Sequence, residues 1–220
     1  YKSIIYSGLW PYNINKNKIQ DPGFGECPNA VGCECTNINK CPEQATCQKL
    51  FIGSYCIPSL GITIPRFKGI DQFGEIVDIY DFAMQGKDIV IEFGTAWCSP
   101  CRDLSYWLST GDDSIIKNNR WWKNQYSVIR DKVINDDILF ITILFEDELR
   151  DPATFQTVSD WHDKYPNKKI VILADEYKDI HQWIKPTGYP CINMVDQDMK
   201  LITFTGRGLT EAFDILSNLK

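Results

Sequence analysis

Ile89-Val90-Ile91-Glu92-Phe93-Gly94-Thr95-Ala96-Trp97-Cys98-Ser99-Pro100-Cys101-Arg102 is the stretch on which the reading of this 220-residue chain turns. Its opening run is apolar and mostly β-branched apart from one carboxylate, the pattern of a short strand buried in a sheet. From Ser99 a helix is expected to about Leu108, which puts Cys98 at a helix N-terminus. Unpaired backbone N–H groups and the helix dipole stabilise negative charge there, and only a thiolate attacks a disulfide. Two cysteines with two residues between them meet that need, with Cys98 as the exposed nucleophile and Cys101, one turn into the helix, as the resolving thiol. A structural bridge or half of a zinc site is the competing reading. It is disfavoured by Trp97, by Pro100 and by the lack of a second C-x-x-C pair.

Working outward, strands and helices alternate from residue 61 onward. Strands are expected at Ile76–Ile79, Ile89–Phe93, Ile138–Phe145, Lys169–Ala174, Cys191–Val195 and Leu201–Thr205. The last two are joined at Asp196-Gln197-Asp198 as a hairpin. Helices are expected at Arg120–Val133, from Asp151-Pro152 (Asp as cap, Pro at the first position), at Glu176–Ile184 and at Thr210–Leu219. The wholly apolar Ile138–Phe145 belongs at the centre of a sheet covered on both faces. The fold class is therefore α/β, a mixed sheet flanked by helices. Residues 61–220 form the α/β domain, and residues 1–60 form a small disulfide-rich loop segment.

The run Ile91 to Arg102 resembles the active-site strand and turn of thioredoxins, and the chain as a whole resembles the TlpA/ResA branch of that superfamily over about residues 62–220. Ile64-Pro65-Arg66-Phe67 and Asp71-Gln72-Phe73-Gly74 match that branch's entry and first hairpin. Residues from about Asp151 to Ile184 match its inserted strand and helix, and Gly188-Tyr189-Pro190 its cis-proline loop. The resemblance implies a thiol–disulfide oxidoreductase of thioredoxin-like fold. It also implies that Trp97, Pro100, Tyr189 and Pro190 contact the substrate, with the backbone of Tyr189 pairing to an extended segment. It makes Glu92 the counterpart of a buried acid that shuttles the proton of Cys101. An unpaired carboxylate inside an apolar strand is costly, so the alternative for Glu92 is a place on the strand's wet face. The lysine that thioredoxins set near that acid has no counterpart in Ile138–Phe145. Pro before the second cysteine and no His between the two resemble reducing members more than oxidants. The peroxiredoxin Pro-x-x-x-Thr-x-x-Cys arrangement is missing.

Of the nine cysteines, six crowd the first segment: Cys27, Cys33, Cys35, Cys41, Cys47 and Cys56. They allow three bridges in fifteen connectivities, with zinc as the competing use of Cys27, Cys33 and Cys35. Disulfides persist outside the cytosol, so a periplasmic or secreted address is expected. The start at Tyr1 without a charged-then-apolar leader is read as a mature exported form. Cys191 has no mate and is expected to be a buried, inert thiol. The net charge of -6 argues against a nucleic-acid partner, and no apolar run approaches the roughly 18–20 residues of a membrane span. The expected partners are protein disulfides or thiols and an upstream electron donor or acceptor, with no cofactor and no metal. His162 and His181 are expected on helix surfaces, Trp121-Trp122 in core packing, and Asp112-Asp113 in a solvated loop. The reading from another class is a thiol-based binding module, for copper or for partner docking. Soft thiolates select Cu(I), but Met84, Met194 and Met199 stand away from the pair in sequence.

Overall fold

The computed structural model describes residues 6–206 and 208–219. In chain order the elements are β1 (Ala45–Leu50), β2 (Gly53–Pro58), β3 (Lys68–Asp71), β4 (Ile76–Asp78), β5 (Asp88–Gly94), α1 (Ser99–Thr110), α2 (Ser127–Ile134), β6 (Ile138–Leu144), α3 (Phe155–Lys164), β7 (Ile170–Ala174), α4 (Asp179–Ile184), β8 (Cys191–Val195) and α5 (Thr210–Asn218). The main sheet has six strands in the order β4-β3-β7-β6-β5-β8. β5, β6 and β7 run parallel, β8 pairs antiparallel to β5 on one flank, and on the other β3 pairs antiparallel to β7 and β4 antiparallel to β3. This is the mixed sheet expected from the sequence. Among the described residues no helix is long and apolar enough to cross a membrane.

Side chains alternate across the central strands, as the pleat requires. Val90, Phe140, Ile172 and Met194 pack under α1, α2, α3 and α5. Ile91, Ile141, Leu173 and Val195 face the other way, toward α4, the 3-10 turn Ile79–Phe82 and the N-terminal segment. That second face depends on the N-terminal chain, which lays Tyr6 and Trp10 into the core. The Trp10 indole N–H donates to Asp71 at 2.8 Å. Asp81, wholly buried, accepts the Tyr6 hydroxyl at 2.7 Å, the Asn13 backbone N–H at 3.0 Å and the Lys16 ammonium at 2.6 Å. A buried carboxylate is tolerable only when paired and hydrogen-bonded in this way.

The six early cysteines pair as Cys27–Cys33, Cys35–Cys47 and Cys41–Cys56. The sulfurs of Cys35, Cys41 and Cys47 gather within 4.8 Å of one another, but all three are bonded in these bridges, which leaves the zinc reading no thiolate there. Contrary to the expectation of bare loops, this segment holds the antiparallel hairpin β1–β2, with Cys47 directly opposite Cys56. No alternation marks it, because β1 is covered on neither face and β2 alone packs inward.

Three further expectations are corrected. The helix expected at Arg120–Val133 begins only at Ser127, after short 3-10 turns at Ile116–Asn118 and Asn124–Tyr126. Trp121 and Trp122 both turn toward the core, against Phe213 and Trp107 respectively, and successive positions on a helix do not share a face. Asp151-Pro152 does not open α3. The Asp147 carboxylate accepts the N–H groups of Leu149 and Asp151 and closes that loop on itself, while Thr154 and Thr157 form a capping box three residues later. Leu201–Thr205 is not a ladder strand. An antiparallel bridge pairs Val195 with Leu201, but beyond it Thr203 Oγ1 and Asn193 Oδ1 take the N–H groups of Met194 and Thr205, so side chains interrupt the hairpin ladder after its first pair.

Cys191 is buried; its thiol donates to the Thr205 carbonyl at 2.9 Å, and burial pushes its pKa up to about 12. Peptide mapping of unreduced protein should therefore return the three bridges above, with Cys191 alkylated only after unfolding. Scrambled pairings, or a Cys191 that reacts in the native state, would refute this part of the structure.

Candidate active site

β5 ends at Gly94, and residues 95–97 turn the chain into α1. Cys98 is the N-cap, and its Sγ accepts the Cys101 backbone N–H at 3.2 Å. Pro100 lies in the first turn, where its missing N–H costs nothing. Cys98 and Cys101 are bonded as a disulfide. In this oxidised form Cys98 is 4% exposed and Cys101 is not exposed at all. The nucleophile position is thus less open than expected, because it packs into the helix-side core against which Trp97 and Tyr189 also lie.

Glu92 sits on the α1 side of β5. Its strand neighbours Ile91 and Phe93 face the opposite core, and Gly94, two residues on and so on the same face, lies under Cys101: a Cβ added there would stand 3.4 Å from Cys101 Sγ. The carboxylate is wholly buried. Thr142, its direct partner in the β5–β6 register, donates its hydroxyl to Oε2 at 2.9 Å, while Oε1 has no partner among the described residues. Burial raises the pKa to about 7, and the Thr142 hydrogen bond opposes that rise only in part. A threonine thus stands beside the acid, and among the described residues no cation pairs with it to hold it ionised.

The rim comes from the loops after β6 and β7. The Trp97 indole N–H donates to Glu146 at 2.8 Å, and Lys178 pairs with the same carboxylate at 2.6 Å. Burial alone would raise the Glu146 pKa, but the hydrogen bonds from Lys178 and Trp97 hold it below the usual carboxylate range. The Arg150 guanidinium lies 4.2 Å from the centre of the Trp97 ring. Tyr189, followed by Pro190 through a cis peptide, meets Trp97 edge-on at 6.0 Å.

Both histidines depart from the surface positions expected of them. His181 stacks on Phe145 at 3.8 Å and reaches the Tyr189 hydroxyl at 3.1 Å through Nε2. Burial, then Lys178 and Lys185, lower its pKa to about 4, so it is neutral at pH 7. Asp175 holds the start of α4 by accepting the N–H groups of Asp179 and His181. His162 packs edge-on against Phe73, with Nδ1 buried and unpartnered among the described residues. Sequence reasoning missed Glu146, Arg150, Lys178 and His181. The available signal was position: Glu146 to Arg150 and Lys178 follow apolar parallel strands, and the loops at the carboxyl ends of such strands line the site in open α/β sheets.

No family model and no curated protein matches the chain. Among solved structures, a proposed thiol:disulfide interchange protein, DsbE, from Chlorobium tepidum aligns with a TM-score of 0.50 at 16% identity, over 72% of this chain and 94% of that one. The thioredoxin domain of a thiol-disulfide oxidoreductase from Bacteroides vulgatus aligns at 0.48 with 22% identity, over 73% and 99%. A secreted disulfide oxidoreductase of Mycobacterium tuberculosis aligns at 0.45 with 20% identity, over 70% and 96%. The fold of this chain is thioredoxin-like.

The Glu92 carboxyl has a measurable signature in stability. A carboxyl with its folded pKa near 7, against 4.5 in the open chain, binds more protons in the native state throughout that window. Its contribution is therefore fully present below pH 4.5 and is lost as pH rises through 7. At about 1.4 kcal/mol per pKa unit the loss is about 3 kcal/mol. Urea unfolding of wild type and Glu92→Gln across pH 4–8 should show the wild type losing that much relative to the variant. Parallel pH profiles would mean that Glu92 is not desolvated.

Proposed function

We propose that the protein is an extracytoplasmic thiol–disulfide oxidoreductase that reduces protein disulfides. The observation that carries this reading is the cysteine pair capping α1 directly above the sheet face that bears the buried, cation-free Glu92. In the dithiol form, the helix N-terminus stabilises the Cys98 thiolate. That thiolate attacks a substrate disulfide: a Cys98–substrate S–S bond forms, the substrate S–S bond breaks, and one substrate thiolate leaves. Cys101 then gives its proton to Glu92 and attacks Cys98. The Cys98–Cys101 bond forms, the second substrate sulfur leaves, and the pair has passed two electrons to the substrate. An upstream thiol donor restores the dithiol.

Trp97, fixed by Glu146 and Arg150, and Tyr189, fixed by His181, give the substrate segment two oriented aromatic walls, with Pro100 between the cysteines and Pro190 following Tyr189. The three bridges of the first segment support an oxidising compartment as the place of action. Residues 61–220 carry this chemistry, and residues 1–60 are assigned as a disulfide-bridged segment that helps cover one face of their sheet.

Turnover on a model disulfide separates the roles. Cys98→Ser should abolish it, and Cys101→Ser should accumulate a mixed disulfide with the substrate, visible on a non-reducing gel. Glu92→Gln should slow release from that intermediate by about 10²-fold, the low end for a lost acid–base group, while attack by Cys98 changes little. Turnover at the wild-type rate in both cysteine variants would remove the assignment.

A further inference from the structure

We propose that Glu92 exchanges its proton with solvent through a one-water chamber on the far side of Thr142, with Thr142 and Ser105 as positioning residues of the relay. The inference rests on the reading of Glu92 as the acid–base group of Cys101. A cavity of about 10 Å³ lies against the helix-side face of β6 and β7, lined by the polar side chains of Ser105, Thr142, Tyr165 and Asn167 and walled by Ile170 and Ile172. About 10–15 Å³ accommodates a single water, provided it finds two to four polar partners. The lining residues Ser105, Thr142, Tyr165 and Asn167 carry three hydroxyls and an amide from which such partners can come.

The connection to the redox pair is direct. Thr142 Oγ1 gives its one proton to Glu92 Oε2, which leaves its lone pairs free to accept from a water on the other side. Ser105 follows Cys101 by four residues on α1, so it lies one turn below the resolving sulfur on the same helix face. It is 8% exposed, so its hydroxyl lies at the edge of the buried core. Asn167 is half-buried and fixed at the chamber mouth. Its Nδ2 donates to the Leu108 carbonyl at 3.0 Å and its Oδ1 accepts the Lys169 N–H at 2.9 Å, which leaves one amide proton for the water.

The two carboxylate oxygens of Glu92 thereby divide the work. Oε1, unpartnered, is left for the proton of Cys101, while Oε2 holds the chain to solvent. Recharging runs from water to Thr142 Oγ1 and from Thr142 to Oε2, each oxygen taking one proton and passing one on. Discharge of the proton received on Oε1 follows when the carboxyl group turns over and presents that proton to Thr142 Oγ1, whose own proton passes to the water, so no charge stays on Thr142 or Ser105. Without such a path a fully buried acid exchanges protons only when the structure opens.

Single-turnover resolution of the mixed disulfide, in H2O and D2O, tests this in the full chain. Thr142→Val and Ser105→Ala should each slow resolution about tenfold, less than the roughly 10²–10⁴-fold of losing an acid–base group outright, and should enlarge the solvent isotope effect. Thr142→Ser, which keeps the hydroxyl, should restore both. Infrared titration of the carboxyl band should show the Glu92 midpoint unmoved in Ser105→Ala. Wild-type resolution in Thr142→Val and Ser105→Ala beside a slow Glu92→Gln would overturn the relay and leave the acid–base role standing. Slowing with no isotope change, not restored by Thr142→Ser, would overturn it as a packing effect. A Glu92→Gln variant that resolves at the wild-type rate would remove the acid–base reading and the relay with it.

Discussion

A carboxyl group sealed between two covered faces of a sheet is the constraint around which this molecule is arranged. Desolvation makes the ionised form of Glu92 costly, and among the described residues no cation pairs with it, so it keeps its proton up to about pH 7 and can exchange it near neutral pH. The seal must exclude bulk water for this to work. On one side it is made by α1, whose first turn brings Cys101 over Gly94. On the other, the apolar partners of Ile91 and Phe93 come partly from Tyr6 and Trp10, far away in sequence.

The N-terminal segment is thus part of the sheet's second layer. Its polar anchors, Asp71 and Asp81, are themselves buried and fully used. Its bridges fix a stretch too poor in apolar residues to hold its own shape. Gly32 of that stretch approaches α4 so closely that a Cβ there would collide with the Gln182 carbonyl. α4 in turn carries His181, which holds the Tyr189 hydroxyl. Stapled loop, short helix and proline-bearing loop therefore form one continuous set of contacts from the first disulfides to the redox pair.

Much of this was legible in the sequence, and the exceptions share a cause. β5, β6, β7 and β8 are buried on both faces, so composition alone marks them. The Trp-Cys-x-Pro-Cys run fixed the turn and the start of α1 through backbone chemistry that any chain must obey. The hairpin β1–β2 was invisible because disulfides, which leave no periodicity, replace burial as its support. Asp151-Pro152 carries strong local helix-start chemistry, yet the Asp147 side chain captured those backbone groups first. His181, Glu146 and Lys178 act through contacts between loops that converge only when the parallel strands align. The absence of a lysine opposite Glu92 could be read from residues 138–145, but the register that places Thr142 there could not.

The reduction potential of Cys98–Cys101, measured against the other bridges in graded redox buffers, tests the proposed activity most directly. A reducing thiol–disulfide oxidoreductase requires this pair to open near ~-270 mV, while Cys27–Cys33, Cys35–Cys47 and Cys41–Cys56 stay closed until below about -300 mV, as structural bridges do. A pair that opens near ~-120 mV would make the protein an oxidant. A pair that opens only together with the three N-terminal bridges would make it a structural staple and contradict the account.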